Sequence, residues 1–253
     1  MSSPLPPEML DHIVDQMRND PTSLKTCCLV SKSWIQRTQK HLFAHTSFHA
    51  SCPSVESWKN AFPDPTDSPA HHTRKLSIRY PHLITASDVN TILTFCNVEC
   101  LDVITSGWRD GRISLAPLRG FSPVLRSLYL SFVSLPDSEI FGLICSFPFL
   151  EALTLVSHGR GGRDERWNPP PTSPRLDGSL KVESVFEGIR SITHQLLGLP
   201  NGIHFTKIAV PWLSEEDVRS TMDLVSRCAD TLQSFDITNY CSGALPSPPP
   251  IPD

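Results

Sequence analysis

The chain lacks any run long and apolar enough to span a bilayer. Its most apolar stretch, Ile140 to Val156, is interrupted by Pro148 and Glu151 and falls short of the roughly 20 residues a membrane helix needs. A membrane is therefore not an expected partner. No CxxC pair occurs among the eight cysteines, so the common zinc frameworks are missing and no metal site is expected. The opening residues MSSPLPPEMLDH carry neither the basic nor the apolar stretch of a secretory leader. The cysteines are expected in a reducing compartment, as small buried apolar residues, and the location is read as cytoplasmic or nuclear. Positive charge is not in excess: Lys+Arg 22 against Asp+Glu 26 gives a net charge of -4. Nucleic acid is thus not an expected partner, because non-specific affinity for it rests on clustered cations. The G-x-x-x-x-G-K-[ST], H-E-x-x-H and G-x-S-x-G motifs are all absent. No catalytic residue and no cofactor are expected, and the chain is read as a non-enzyme.

What is abundant is proline, 24 of 253 residues, roughly twice the usual share. That excludes a long-helix or coiled-coil protein. Hydrophobic residues at 39% argue against wholesale disorder, and the length allows one or two domains.

Residues 1–49 read as a compact helical unit. Pro6 and Pro7 stand where a helix begins, a position that tolerates a missing N–H. Leu10, Ile13, Val14 and Met17 then form one apolar stripe. Asn19-Asp20-Pro21 breaks that helix. A second starts near Thr22 with Leu24, Cys27 and Cys28. Ser31 can cap a third, which puts Trp34, Ile35 and Thr38 on one side. Three short helices make a thin core, better explained if a partner covers an apolar face.

The order Leu5-Pro6-Pro7-Glu8-Met9-Leu10, Ile13, Leu24, Leu29-Val30-Ser31 and Trp34, followed by Lys40-His41-Leu42-Phe43, resembles the F-box of fungal F-box proteins. The match covers nearly the whole motif of about 45 residues within the first 50. The resemblance implies docking onto the small Skp adaptor of a cullin–RING ubiquitin ligase, with the rest of the chain capturing a protein substrate for ubiquitylation. It implies adaptor contact at Leu5, Pro6, Pro7, Leu10, Ile13, Leu29, Val30 and Trp34. Leu10, Ile13, Leu24 and Trp34 also suit the unit's own core, so Trp34 is read as either core or contact. Leu5 and Pro6 precede the helix and are weighted toward docking.

A short apolar-x-apolar pattern recurs downstream, beginning at Leu76, Leu101, Leu128, Leu153, Leu180, Ile208 and Phe235, with spacings of 25, 27, 25, 27, 28 and 27 residues. This period lies in the range of leucine-rich repeats. A further apolar residue three positions upstream, at Val98, Leu125, Leu150, Phe205 and Leu232, strengthens five of the seven. Helical spacing is expected at 88–98, 137–147, 188–197 and from Ser214 onward. Regular repeats place Asn or Cys shortly after the strand, whereas Pro81, Ser106, Val133, His158, Val185, Leu213 and Tyr240 stand there, so the arc is expected to be irregular. A different stacked α/β arrangement is the alternative.

The expected class is thus α/β: an N-terminal three-helix F-box followed by an irregular leucine-rich-repeat-like solenoid with a curved parallel sheet. Residues 50–72 are read as a linker with one short helix around Trp58. About seven repeats occupy 73–241, with a loop insertion at 158–175, and 242–253 is a Pro-rich tail. Strand side chains alternate, so the positions between and after each apolar pair line the open face. Arg79, Asp102, Tyr129, Ser131, Thr154, Lys181, Glu183, Asp236 and Thr238 are the candidate substrate contacts, with Tyr129 and Arg79 favoured as interface anchors. The competing reading is a repeat scaffold for protein binding outside ubiquitin chemistry, with the N-terminal helices as a solenoid cap.

Overall fold

The computed structural model describes residues 6–49, 54–79, 88–105, 114–132, 135–157, 169–170, 173–184, 189–211 and 215–238, without the side chains of Pro7, Ser184, Glu216 and Thr238. Leu5, the seven positions expected to lack the Asn ladder, Ser214, most of 158–175 and the tail 242–253 lie outside the described residues.

Three helices open the chain: α1 (Pro7–Gln16), α2 (Pro21–Val30) and α3 (Lys32–Leu42). Each start has a local cause. Proline occupies the first turn of α1. The Asp20 carboxylate accepts from the Thr22 and Ser23 amides and caps α2, so Asn19-Asp20-Pro21 starts a helix as well as ending one. Ser31 caps α3, accepting from the Ser33 amide at 3.3 Å. Val14, Leu24, Cys27 and Thr38 form the buried interior. Asp15 fastens α1 to α3. The Arg37 Nε donates to its carboxylate at 2.7 Å, Arg37 Nη2 donates to its other oxygen, and His41 Nε2 lies 2.7 Å away. These partners hold the Asp15 carboxyl well below the usual carboxylate range.

Eight strands follow: β1 (His45–Phe48), β2 (Lys75–Arg79), β3 (Cys100–Ile104), β4 (Ser127–Phe132), β5 (Ala152–Ser157), β6 (Leu176–Ser184), β7 (Ile203–Pro211) and β8 (Ser234–Thr238). They form one open sheet, parallel throughout, in sequential order from β1 to β8. The protein is therefore α/β, with each strand laid beside its predecessor. The seven apolar pairs share one register: Leu76 stands opposite Leu101, and Leu128, Leu153, Leu180, Ile208 and Phe235 continue the row. All but Phe235 are buried, each contributing about 1.5–3 kcal/mol by leaving water.

β1 is an eighth strand that the repeat pattern does not reveal. Thr46 takes the place of the leucine, opposite Leu76. Its hydroxyl is tolerated there because Thr73 Oγ1 lies 3.0 Å away, and Thr73 itself donates to the Phe43 carbonyl at 2.8 Å. The sheet thus begins inside the stretch assigned to the helical unit.

The helices α4 (Val55–Ala61), α5 (Val89–Leu93), α6 (Asp137–Ile144), α7 (Arg190–Leu197) and α8 (Glu215–Arg227) supply the second layer. Ile92, Phe141, Ile144, Leu196 and Leu224 share one buried cluster with the strand leucines. Between β3 and β4 the described connection holds only a short 3-10 turn, Ala116–Leu118, where Pro117 and Pro123 oppose a longer helix. The interval 50–72 is more than a linker. Trp58 on α4 is buried, its ring centroid 5.7, 5.9 and 5.2 Å from those of Phe43, Phe48 and Phe95. Its indole N–H donates to Ser68 Oγ at 3.2 Å. Residues read as a connector therefore cover the first edge of the sheet.

Neighbouring units are also tied by polar side chains in the turns before the strands. Asn97 Nδ2 donates to the His71 carbonyl at 2.8 Å, Ser122 Oγ to Val98 at 2.7 Å and Thr231 Oγ1 to Phe205 at 3.1 Å. Gly178 marks a bulge between β6 and β7. Its φ is +84°, and a Cβ there would lie 2.0 Å from the Glu151 carbonyl oxygen. Only glycine fits that approach.

Candidate functional site

Two surfaces carry side chains that the fold does not use. The first lies on the N-terminal helices. Of the α1 stripe, only Val14 is buried; Ile13 is exposed and Leu10 and Met17 are half-buried. At the end of α2, Leu29 and Val30 are 87% and 65% exposed. Met9, part of the F-box-like order but not among the implied adaptor contacts, is also exposed. Pro6 is exposed and Trp34 is half-buried on α3. Leu5 and the Pro7 side chain lie outside the described residues. α3 also meets the 3-10 turn Pro69–His72, and Phe43 just beyond it packs against the sheet core. The helical unit therefore leans on the sheet through α3 and keeps apolar groups of α1 and α2 in water.

The second surface is the polar face of the sheet. All-parallel sheets are usually covered on both faces. Here Ser77, Asp102, Tyr129, Thr154, Lys181 and Ala209 share one row on the face opposite the leucines, and all are half-buried. Tyr129 is the middle of this row. Burial pushes its phenol up, and the Glu183 carboxylate adds to the effect; a hydrogen bond with Ser131 and the Lys181 charge oppose it, and Asp102 reinforces it. Asp102 pairs with Lys75 at 2.8 Å and Glu183 with Lys181 at 2.7 Å. Lys75 was not among the candidates; its place one residue before the apolar pair puts it on this face.

The candidates do not form one pocket. Asp102, Tyr129, Lys181 and Glu183 come together as an alternating set of charges around a phenol, with Thr154 between them. Arg79 is exposed two strands from Tyr129. Asp236 is exposed on the last strand, its carboxylate accepting from Ser234 Oγ at 3.0 Å. Thr238 pairs opposite Pro211, and its side chain is not described. Ser131 is buried and does not present a free contact. From β2 to β8 the row crosses six strand spacings, about 29 Å at the usual separation.

A groove of about 640 Å³ lies between α7 and α8, lined by Arg190, Thr193, His194, Leu197, Glu215, Arg219, Ser220 and Asp223. Its two arginines are balanced by two carboxylates, so it selects no sign of charge. Among the described residues, no group of three or more His, Cys, Asp or Glu side chains is placed to hold a metal ion. No described helix is long and apolar enough to cross a membrane.

Comparison with family models, curated proteins and solved structures found no match. The functional reading therefore rests on this chain's own residues and geometry.

Proposed function

We propose that the protein is the substrate-recognition adaptor of an SCF-type ubiquitin ligase. The α1–α2 surface docks onto the Skp adaptor, and the polar sheet face holds a protein substrate. Catalysis belongs to other subunits. The observation that carries this reading is the exposure of Leu29 and Val30, beside Ile13 and Met9, on helices that already have their own interior. Two such residues at a helix end, with nothing from the sheet drawn over them, suit a surface that a partner desolvates. The F-box-like order of Pro6 to Trp34 gives that partner its chemistry.

The competing reading makes the helices a cap for the sheet. The α3 contact with the turn at Pro69–His72 favours it. Covering the sheet edge, however, is chiefly the work of Phe43, Phe48 and Trp58, and it leaves α1 and α2 free. The two roles thus fall on different faces of one unit.

Co-purification of the full chain with the Skp adaptor tests the proposal. Leu29→Glu with Val30→Glu is expected to lower recovery at least tenfold, about 1.4 kcal/mol, with unchanged thermal unfolding. Equal recovery by the variant would assign the helices to capping alone. On the sheet face, Tyr129→Ala with Arg79→Ala is expected to abolish substrate capture while leaving adaptor binding intact.

A further inference from the structure

The net charge of -4 conceals an uneven distribution. Residues 21–55 and 68–87 contain no Asp or Glu, yet they carry seven of the 22 Lys and Arg and six of the 10 His. All 26 acidic residues lie elsewhere in the chain. The fold brings these two stretches together. α3 meets the 3-10 turn Pro69–His72, and β1 pairs with β2. The Arg74 and Lys75 amides both donate to the Ala44 carbonyl, at 2.9 and 3.0 Å, which draws the start of β2 to the exit of α3. His71 and His72 lie on that joint with ring centroids 3.9 Å apart. His71 Nδ1 donates to the Ser68 carbonyl at 3.0 Å, which leaves its Nε2 to take up a proton. His72 is half-buried, and the charges that act on it, from His71, Lys40 and Arg74, are all positive. From the turn before β3, the uncharged Asn97 amide holds the His71 carbonyl. Lys40, His71 and Arg74 are exposed. Arg74 has a carboxylate partner in Glu99 at 3.0 Å, but the two side chains are 52% and 46% exposed, and such surface pairs contribute little.

We propose that Lys40, His71, His72 and Arg74 form a binding site for an acidic peptide segment of a partner protein. The four side chains come from α3, the 3-10 turn and the entry of β2, so the folded joint assembles them. A ligand carboxylate at the histidine pair is attracted by Lys40 and lets His72, which burial and its cationic neighbours otherwise hold neutral, bind a proton. Proton uptake therefore accompanies binding. A second ligand carboxylate replaces Glu99 on Arg74 at little cost. The neighbouring strand limits the width of the site. Glu99 stands at the entry of β3, and Asp102 on β3 neutralises Lys75 at 2.8 Å, about 5 Å from β2. A DNA duplex, with one charge per roughly 1.7 Å of its axis, needs a broader cationic face. A short segment with two or three Asp or Glu side chains fits the narrow one. The site is separate from Leu29 and Val30, so it stands whether or not the helices dock onto the Skp adaptor.

Fluorescence anisotropy of a labelled hexaglutamate peptide with the full chain tests the site. Binding is expected at low ionic strength and is expected to weaken with salt. It is expected to tighten about threefold or more from pH 7.5 to pH 6.0, where glutamate, with a pKa of about 4.3, stays ionised. Lys40→Glu with His71→Gln is expected to lower the affinity at least tenfold, with circular dichroism and thermal unfolding unchanged. Arg219→Glu on α8 is expected to lower it less than twofold, and Lys40→Arg to preserve it. No binding at about 1 mM peptide would overturn the proposal, and so would an affinity that does not change between the two pH values. Equal losses in the joint variant and in Arg219→Glu would overturn it as well, because overall charge alone would then account for binding. A ten-residue oligothymidylate that binds more tightly than the peptide, with the same dependence on Lys40, would replace the peptide by a nucleic acid and overturn it too.

Discussion

At the residue scale, Gly178 shows how one position fixes the register of two strands. A side chain at its positive φ would meet the Glu151 carbonyl, so Gly178→Ala is expected to destabilise the protein by about 2–4 kcal/mol, read as a shift in the urea midpoint. The sequence around it, Leu176-Asp177-Gly178-Ser179-Leu180, does not distinguish a bulge from a turn, so this requirement was not legible beforehand. His72 sets a pH dependence. Burial lowers its pKa below the ordinary 6.5, and the charges of His71, Lys40 and Arg74 add to that. The folded state therefore binds fewer protons than the unfolded one just below pH 6.5. Stability is full above that value and declines as pH falls through the folded value. Urea unfolding at pH 7.5 and 5.5 is expected to show the loss, and His72→Gln is expected to reduce it. His49, lowered chiefly by burial and then by Arg79, supplies a separate share with the same sign.

At the element scale, strands were more legible than what joins them. Each apolar-x-apolar pair is a local signal repeated at a nearly constant interval, and one register accounts for all seven. Leu128→Ala, in the middle of that row, is expected to lower stability by about 2–5 kcal/mol, measured by chemical denaturation. β1 escaped notice because Thr46-Ser47-Phe48 offers one apolar side chain where the pattern needs two, and Thr73 supplies the missing compatibility from 27 residues away. The Asn97, Ser122 and Thr231 bonds were equally hidden. They precede the strands, whereas the regular repeat places its ladder after them. On the open face, alternation marked Asp102, Tyr129 and Lys181 correctly as one row. It could not show that Ser131, which obeys the same alternation, is buried.

At the scale of the whole molecule, one buried cluster runs from Phe48 to Cys228, and the helical unit joins it through Phe43. The sequence divides the chain at residue 49, but the packing crosses that line. Sheet covering falls to Phe43 and to Trp58 of α4, so the proposed docking at α1 and α2 makes no demand on the residues that cover the sheet. The central claim is that α1 and α2 meet the Skp adaptor. Hydrogen exchange of the full chain, with and without that adaptor, tests it most directly. The account predicts slower exchange at 7–16 and 21–30 and no change from β2 to β8. Unaltered exchange in α1 and α2 at saturating adaptor, or protection confined to the sheet face, would contradict it.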